Sequence, residues 1–221
     1  MINFIKKLLS YIYKDKCYFC SNSKFNSIFC IDCYEKINYL NYSELIEFEK
    51  SNIYSCCYYN GVIQKLIRAV KYHNKKDLAK FQARLMFDYW INIKNKKSDY
   101  VVIPVPLHKN RLKKRKYNHM DLIAKEFCLL SGYIYSTNFI KRIKDTVPQY
   151  KLSKKEREEN LKNAFILNKE IVINKPILLI DDITTTGATL YEIIKELNKN
   201  NYTDITCLTT AIPENNSFYT Y

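Results

Sequence analysis

Apolar residues along the chain follow two spacings in alternation. Short runs rich in β-branched and aromatic side chains mark strands at 53–60 (ending at Gly61), 100–105 (stopped by Pro104 and Pro106), 164–167, 171–173, 177–180 and 204–212. Between them apolar positions recur every three or four residues, the repeat of one helix face. Val62, Ile63, Leu66, Ile67 and Val70 form one such stripe, and Leu78, Phe81, Leu85 and Tyr89 another. Residues 121–130 form a third, and Leu190, Ile193, Ile194 and Leu197 a fourth. Residues 34–51 read as a polar connector with some helix. Strands alternating with helices predict an α/β chain with a parallel sheet and a ligand site at the strands' carboxyl ends.

Candidate chemistry concentrates in residues 177–190, Ile-Leu-Leu-Ile-Asp-Asp-Ile-Thr-Thr-Thr-Gly-Ala-Thr-Leu. Four apolar residues suit a buried strand, and Asp181 and Asp182 stand where it is expected to end. Thr184, Thr185, Thr186, Gly187, Ala188 and Thr189 then lead into a helix. A small-residue loop at a helix start presents N–H groups and a positive dipole end to an anion. Gly187 lets the backbone approach closely, and threonine hydroxyls add donors. The carboxylates do not bind phosphate; they accept hydrogen bonds from vicinal ribose hydroxyls or reach Mg²⁺ through water. A phosphate cradle beside a diol acceptor describes a ribose 5-phosphate. Competing readings are an ordinary threonine-capped strand–loop–helix and a response-regulator acidic pocket, which needs no threonine-rich turn. A dinucleotide fingerprint is excluded, because the three glycines (Gly61, Gly132, Gly187) form no Gly-x-Gly-x-x-Gly.

A chain of 221 residues with 47% hydrophobic content suits one α/β domain plus a small appendage, divided as 1–50 and 51–221. The appendage carries Cys17-x-x-Cys20, nine residues, then Cys30-x-x-Cys33. Two such turns can direct four thiolates at one tetrahedral Zn²⁺. With no fifth ligand or catalytic base in view, the metal is expected to be structural. The competing reading, a pair of disulfides, requires a secreted protein. Residues 1–16 do not read as a secretory signal: Lys6 and Lys7 interrupt their apolar positions, and no small-residue cleavage site follows. They fit an amphipathic helix packed on the domain, or alternatively a membrane-surface anchor. No stretch approaches the roughly 20 apolar residues of a membrane span, and a cytoplasmic location is expected. Cys56, Cys57, Cys128 and Cys207 lack ligand spacing and read as inert buried thiols.

The formal net charge of +14 allows a polyanionic partner. Abundant Lys, Asn, Ile and Tyr suggest a composition bias behind part of that excess, so clustering carries more weight. Lys109, Arg111, Lys113, Lys114, Arg115 and Lys116 fall within eight residues. Such a run is either a solvated loop or an electrostatic funnel beside a diphosphate or nucleic-acid path.

Residues 177–190 resemble the 5-phosphoribosyl-1-diphosphate (PRPP) signature of the type I phosphoribosyltransferases. Further stretches are Tyr58-Tyr59-Asn60-Gly61 with Ala69-Val70-Lys71-Tyr72, and Val-Ile-Pro-Val-Pro-Leu-His from Val102 followed by Arg111, Arg115 and Tyr117-Asn118. A third runs through Arg142, Lys144, Thr146, Pro148-Gln149, Leu152-Ser153, Arg157, Asn160 and Ala164-Phe165. With the cysteines, this order is similar to the ComF/GntX family over roughly residues 17–212. Those are zinc-finger proteins with a phosphoribosyltransferase-like domain, associated with DNA uptake in natural transformation. Arg115-Lys116-Tyr117-Asn118-His119 departs from the family's usual Arg-Gly-Phe-Asn-Gln, with Lys116 in place of glycine.

The resemblance implies a type I phosphoribosyltransferase fold with a four-cysteine zinc module, and PRPP with Mg²⁺ as ligand. It implies that Asp181 and Asp182 act as catalytic positions on the ribose diol or its metal, and that residues 184–189 hold the 5-phosphate. Lys71 and Arg115 are expected near the site. Residues 142–157 resemble the mobile loop that closes over PRPP, with a plain surface hairpin as the other reading. Single-stranded DNA is the implied further partner of the 109–116 run, alongside an uptake helicase or recombination proteins. No acceptor pocket is recognisable, so transfer itself is not specified. A salvage or biosynthetic phosphoribosyltransferase is one alternative, without a glutaminase domain or base-recognition motif. A nucleic-acid adaptor is another, using the basic run and some of the twenty tyrosines as stacking platforms.

Overall fold

The computed structural model describes residues 16–24, 27–42, 45–94, 96–146 and 154–214. The helix expected over 1–16 (Lys16 apart), Phe25, Pro148-Gln149, Leu152-Ser153 and the Arg157 side chain lie outside the described set.

In chain order the elements are α1 (Ile31–Tyr34), β1 (Ile46–Phe48), β2 (Ser51–Tyr58), α2 (Gly61–Tyr72), a 3-10 turn (Lys76–Leu78) and α3 (Ala79–Trp90). Then follow β3 (Val101–Pro104), α4 (Lys109–Arg115), α5 (His119–Ser131), β4 (Ile134–Tyr135), β5 (Ile140–Arg142) and α6 (Lys154–Leu161). The last are β6 (Phe165–Leu167), β7 (Ile177–Ile183), α7 (Ala188–Lys199) and β8 (Ile205–Ile212). Six strands form one sheet in the order β1-β2-β8-β7-β3-β4, parallel except for the edge strand β1. β5 and β6 pair separately as an antiparallel hairpin.

Helices cover both faces of this sheet, so its central strand is apolar on both sides. Ile177 and Leu179 of β7 face a layer built from α7 and the β5–β6 hairpin, with Leu190, Ile193, Ile194, Leu197, Ile140 and Phe165. Leu178 and Ile180 face the other layer, against α2, α3 and α5 through Leu66, Val70, Met86, Ile123 and Phe127. The α7 stripe is fully sequestered, and each of its four side chains contributes roughly 1.5–3 kcal/mol of burial. The four-cysteine module rests on α3. Phe29 packs against Phe81 with centroids 5.5 Å apart, and Tyr34 Oη donates to Asp88 Oδ2 at 2.5 Å.

Several expectations are corrected. Residues 171–173 form no strand: Ile173 is buried, Val172 is exposed, and the Ile171 N–H bonds locally to the Asn168 carbonyl at 3.1 Å. That run therefore anchors a loop by one side chain rather than a ladder. The basic run is helical as α4, because His108 accepts the Asn110 N–H at 3.3 Å and starts a turn. The connector contributes the edge strand β1, so the sheet begins before residue 51. Within 142–157, the described residues are the end of β5, the stretch to Thr146 and the start of α6.

Candidate anion site and metal module

β7 does not stop before its acids; it continues to Ile183, and the two carboxylates fall to opposite faces of the sheet. Asp181 lines an open cleft with Thr184, Thr185, Gly187 and Thr189. Asp182 is buried on the α2/α5 side, where Lys71 Nζ pairs with its Oδ2 and His119 Nε2 lies 2.8 Å from the same oxygen. Burial alone would raise the Asp182 pKa, but the Lys71 charge and the His119 hydrogen bond hold it well below the carboxylate range. Among the described residues Asp181 has no such cation in contact. Burial, then the charge of Asp182, push its carboxyl up to about 7. Its Oδ1 accepts the Asp182 N–H at 2.8 Å. Burial lowers the His119 pKa, so the neutral ring donates from Nε2 to Asp182 and leaves Nδ1 a buried acceptor without a partner.

The loop after β7 is pinned at its start, where the Thr184 N–H bonds to the Ala211 carbonyl at 2.9 Å. Its Oγ1 is buried without a partner. Among the described residues the Thr186 and Gly187 amides find no acceptor, and they lead into the N-terminus of α7. Gly187 is required here. Its φ is +70°, and a Cβ would lie 2.4 Å from the Tyr191 ring, which stacks on Phe48 at 3.9 Å.

Helical spacing divides the basic run. Arg111 and Arg115 turn inward and are half-buried, whereas Lys109, Lys113, Lys114 and Lys116 remain exposed. Arg111 donates to the Thr146 carbonyl at 2.8 Å, and Arg142 donates to the Thr146 hydroxyl. Arg115 lies over the Tyr72 ring at 5.0 Å. Burial and the Arg111 charge lower the Arg142 pKa to about 10, and burial and Arg115 lower that of Arg111. Arg115 Nη1 and Arg142 Nε are buried without partners. Arg115 thus repels Arg111 and Arg111 repels Arg142, two of the three have orphaned nitrogens, and Arg142 lies within electrostatic reach of Asp181 in the cleft. An anion would satisfy those donors and relieve the repulsion.

Cys17, Cys20, Cys30 and Cys33 come together with all sulfurs within 4.8 Å of one another. The Cys17–Cys33 and Cys20–Cys30 separations are 3.8 and 3.6 Å. Sulfurs of a tetrahedral zinc–thiolate site stand about 3.8 Å apart, while a disulfide would need about 2.05 Å. The residues fit a single tetrahedral ion such as Zn²⁺. The other four cysteines are free and hold no such grouping.

The structure thus brings Lys71, Arg111, Arg115, Asp181, Asp182 and residues 184–189 to one end of the sheet, with the four outer lysines on the flank. Sequence reasoning left out His119 and Tyr72 as site residues, and placed Arg142 only within the loop expected to close over PRPP. The signal for His119 was its place directly after the α5 cap, Asn118, whose side chain accepts the Met120 N–H. Among the described residues no helix is long and apolar enough to cross a membrane.

Comparison with known proteins gives consistent likenesses. Competence protein F of Haemophilus influenzae is 35% identical over 142 residues, 61% of each chain. DNA utilization protein YhgH of Salmonella typhimurium is 28% identical over 145 residues, 64% of this chain and 63% of its own. Competence protein ComFC of Streptococcus pneumoniae is 30% identical over 128 residues, 57% and 54% of the two chains. The chain therefore spans about three-fifths of the length of the curated relatives it matches. No family model matches. These likenesses support a ComF-like family for the chain.

Proposed function

We propose that the site binds PRPP with Mg²⁺, in a cytoplasmic ComF-like protein that serves DNA uptake and handles single-stranded DNA. In this reading residues 184–189 take the 5-phosphate. Asp181 takes the ribose hydroxyls or the hydrated Mg²⁺, and Arg111, Arg115 and Arg142 take the diphosphate. Asp182 keeps Lys71 and His119 in place behind the ligand. The observation that carries it is Arg142, with a buried unpartnered Nε, within electrostatic reach of Asp181, whose cleft also holds the orphaned Thr184 hydroxyl. If the site transfers a phosphoribosyl group, the C1–diphosphate bond breaks as charge develops on the sugar, and a nucleophile enters at C1. Fixed cations stabilise the departing diphosphate. The exposed lysines 109, 113, 114 and 116 flank the same end and suit a nucleic-acid backbone. The names of the relatives, competence and DNA utilization proteins, point to that setting.

The test is thermal unfolding with PRPP and Mg²⁺. A rise in melting temperature that Asp181→Asn abolishes is expected, and no rise in the unaltered protein would sink the reading. Neutralising Lys113 and Lys114 should lower the salt slope of single-stranded DNA binding by roughly one for each phosphate no longer engaged. Binding that ignores salt would count against a backbone path. Retained DNA binding without a PRPP response would favour the adaptor. Diphosphate release with candidate acceptors decides whether transfer occurs.

A further inference from the structure

Among the described residues, Tyr18 links the metal module to the end of α2 beside the candidate anion site. Tyr18 lies inside the first Cys-x-x-Cys turn, fixed by its N–H to the Ile28 carbonyl at 2.9 Å. Its hydroxyl is 3.1 Å from His73 Nδ1, and Lys75 Nζ sits 5.8 Å from its ring centroid. His73 and Lys75 are the residues that close α2: both donate their N–H to the Ala69 carbonyl at 3.1 Å. Between that carbonyl and these amides lie Lys71, which pairs with Asp182, and Tyr72, which lies beneath Arg115. The same turn is held from the far side by Tyr117, whose hydroxyl donates to the Val70 carbonyl at 2.6 Å.

We infer that Tyr18 is a positioning residue for the anion site: it clamps the last turn of α2, so that a metal-loaded module holds Lys71 and Tyr72 in their binding geometry. This rests on the PRPP reading for its ligand. A helix end closed by only two amides frays readily, and the backbone carbonyls of its last turn depend on such caps. Tyr18 engages both capping residues by side chain, one through a hydrogen bond and one through its ring face. Tyr18 itself keeps its place only while the cysteines around it are gathered on one ion. Loss of metal would free the cap and blur the position of Lys71 without touching any group in the cleft.

Tyr18→Phe keeps the ring and removes the hydroxyl. Its zinc content, read by native mass spectrometry, should equal that of the unaltered chain. Its affinity for PRPP and Mg²⁺, read calorimetrically, should fall roughly two- to tenfold, the span of one hydrogen bond. Exchange of the His73 and Lys75 amides should speed up. Chelation of the unaltered protein should produce a larger fall and the same exchange signature. A purely structural role would lower the melting temperature yet leave the affinity of the folded protein alone. Unchanged affinity in a variant that retains its metal overturns the inference. If the unaltered protein binds no PRPP, the proposed function fails separately. Amide exchange then decides alone: faster exchange in Tyr18→Phe sustains the clamp, and unaltered exchange removes it.

Discussion

The four-cysteine module and the carboxyl end of the sheet both gather groups that could hold a guest, but the means differ. In the module two local turns bring four sulfurs to within 4.8 Å, with a small aromatic cluster of Phe19, Phe29 and Phe81 as support. At the sheet end the groups come from α2, α4, β5, β7 and the loop after it, and strand register holds them on a core buried on both faces. A site coded by near neighbours has little besides its ion to keep it folded. One assembled by long-range packing persists without its ligand and leaves orphaned polar atoms. The largest expected effect tests that contrast. Chelation, or Cys30→Ser, should unfold residues 16–42 while the far-ultraviolet signal of the α/β core survives, because structural zinc contributes on the order of 10 kcal/mol to its module. A module that stays protected from exchange after losing its metal would remove the contrast.

The two acids sharpen the comparison within the sheet end itself. Asp182→Asn breaks a buried ion pair and should cost about 3–5 kcal/mol by denaturant unfolding, whereas Asp181→Asn removes an acid that no cation contacts among the described residues. Their pH profiles should run in opposite directions. Asp182 is depressed in the fold, so its contribution is present above its unfolded value of 3.8 and lost below it. Asp181 is raised, so ionising it weighs on the fold. That burden is absent below 3.8, grows as pH rises to about 7 and is complete above it. Asp181→Asn should therefore be the more stable protein above pH 7 and should lose the slope between. A Mg²⁺-bound ligand favours the ionised acid, so PRPP affinity should rise with pH up to about 7, by at most tenfold per unit. A flat affinity profile would argue against Asp181 as the ligand-facing acid.

Gly187→Ala probes how the loop is seated. The new Cβ meets a Tyr191 ring that Phe48 already backs, and the left-handed backbone adds its own penalty. A loss of roughly 2–4 kcal/mol is expected from overpacking and conformation together. Adding Tyr191→Leu should recover part of it. A neutral Gly187→Ala would mean that the ring moves freely.

Elements with long apolar repeats were legible in the sequence: α2, α3, α5 and α7 match their stripes, and β2, β3, β7 and β8 match their runs. Short elements were not. β4 has two residues, and α6 is almost wholly polar, so neither carries a periodic signal. The cysteine site was readable because its ligands are close in sequence. The PRPP-like loop was readable for the same reason. What local pattern could not show is that β7 runs on past its acids, because strand length is set by the partner β8, which pairs Asp181 with Thr209 and Ile183 with Ala211. Nor could it show that Arg111, Arg115 and Arg142 converge. They share no short motif, only a fold that returns the β5–β6 hairpin to the end of α4.

The smallest effect separates geometry from charge at Lys116. It closes α4 with φ +65°, donating its N–H to the Leu112 carbonyl at 2.7 Å, the conformation that a glycine at this position would adopt without strain. A side chain in that region costs about 1 kcal/mol or slightly more, while glycine loosens the unfolded chain by up to a similar amount. Lys116→Gly should therefore stabilise the protein by only about 0.5 kcal/mol, yet lower the salt slope of DNA binding by about one. Lys116→Asn tolerates the same backbone without the charge, so it should reproduce the DNA effect with little change in stability. If both variants bind DNA as the unaltered chain does, the exposed flank of α4 is a solvated face. If Lys116→Gly is instead destabilised, the side chain makes a contact that offsets its strain, and the lysine is held there for more than its charge.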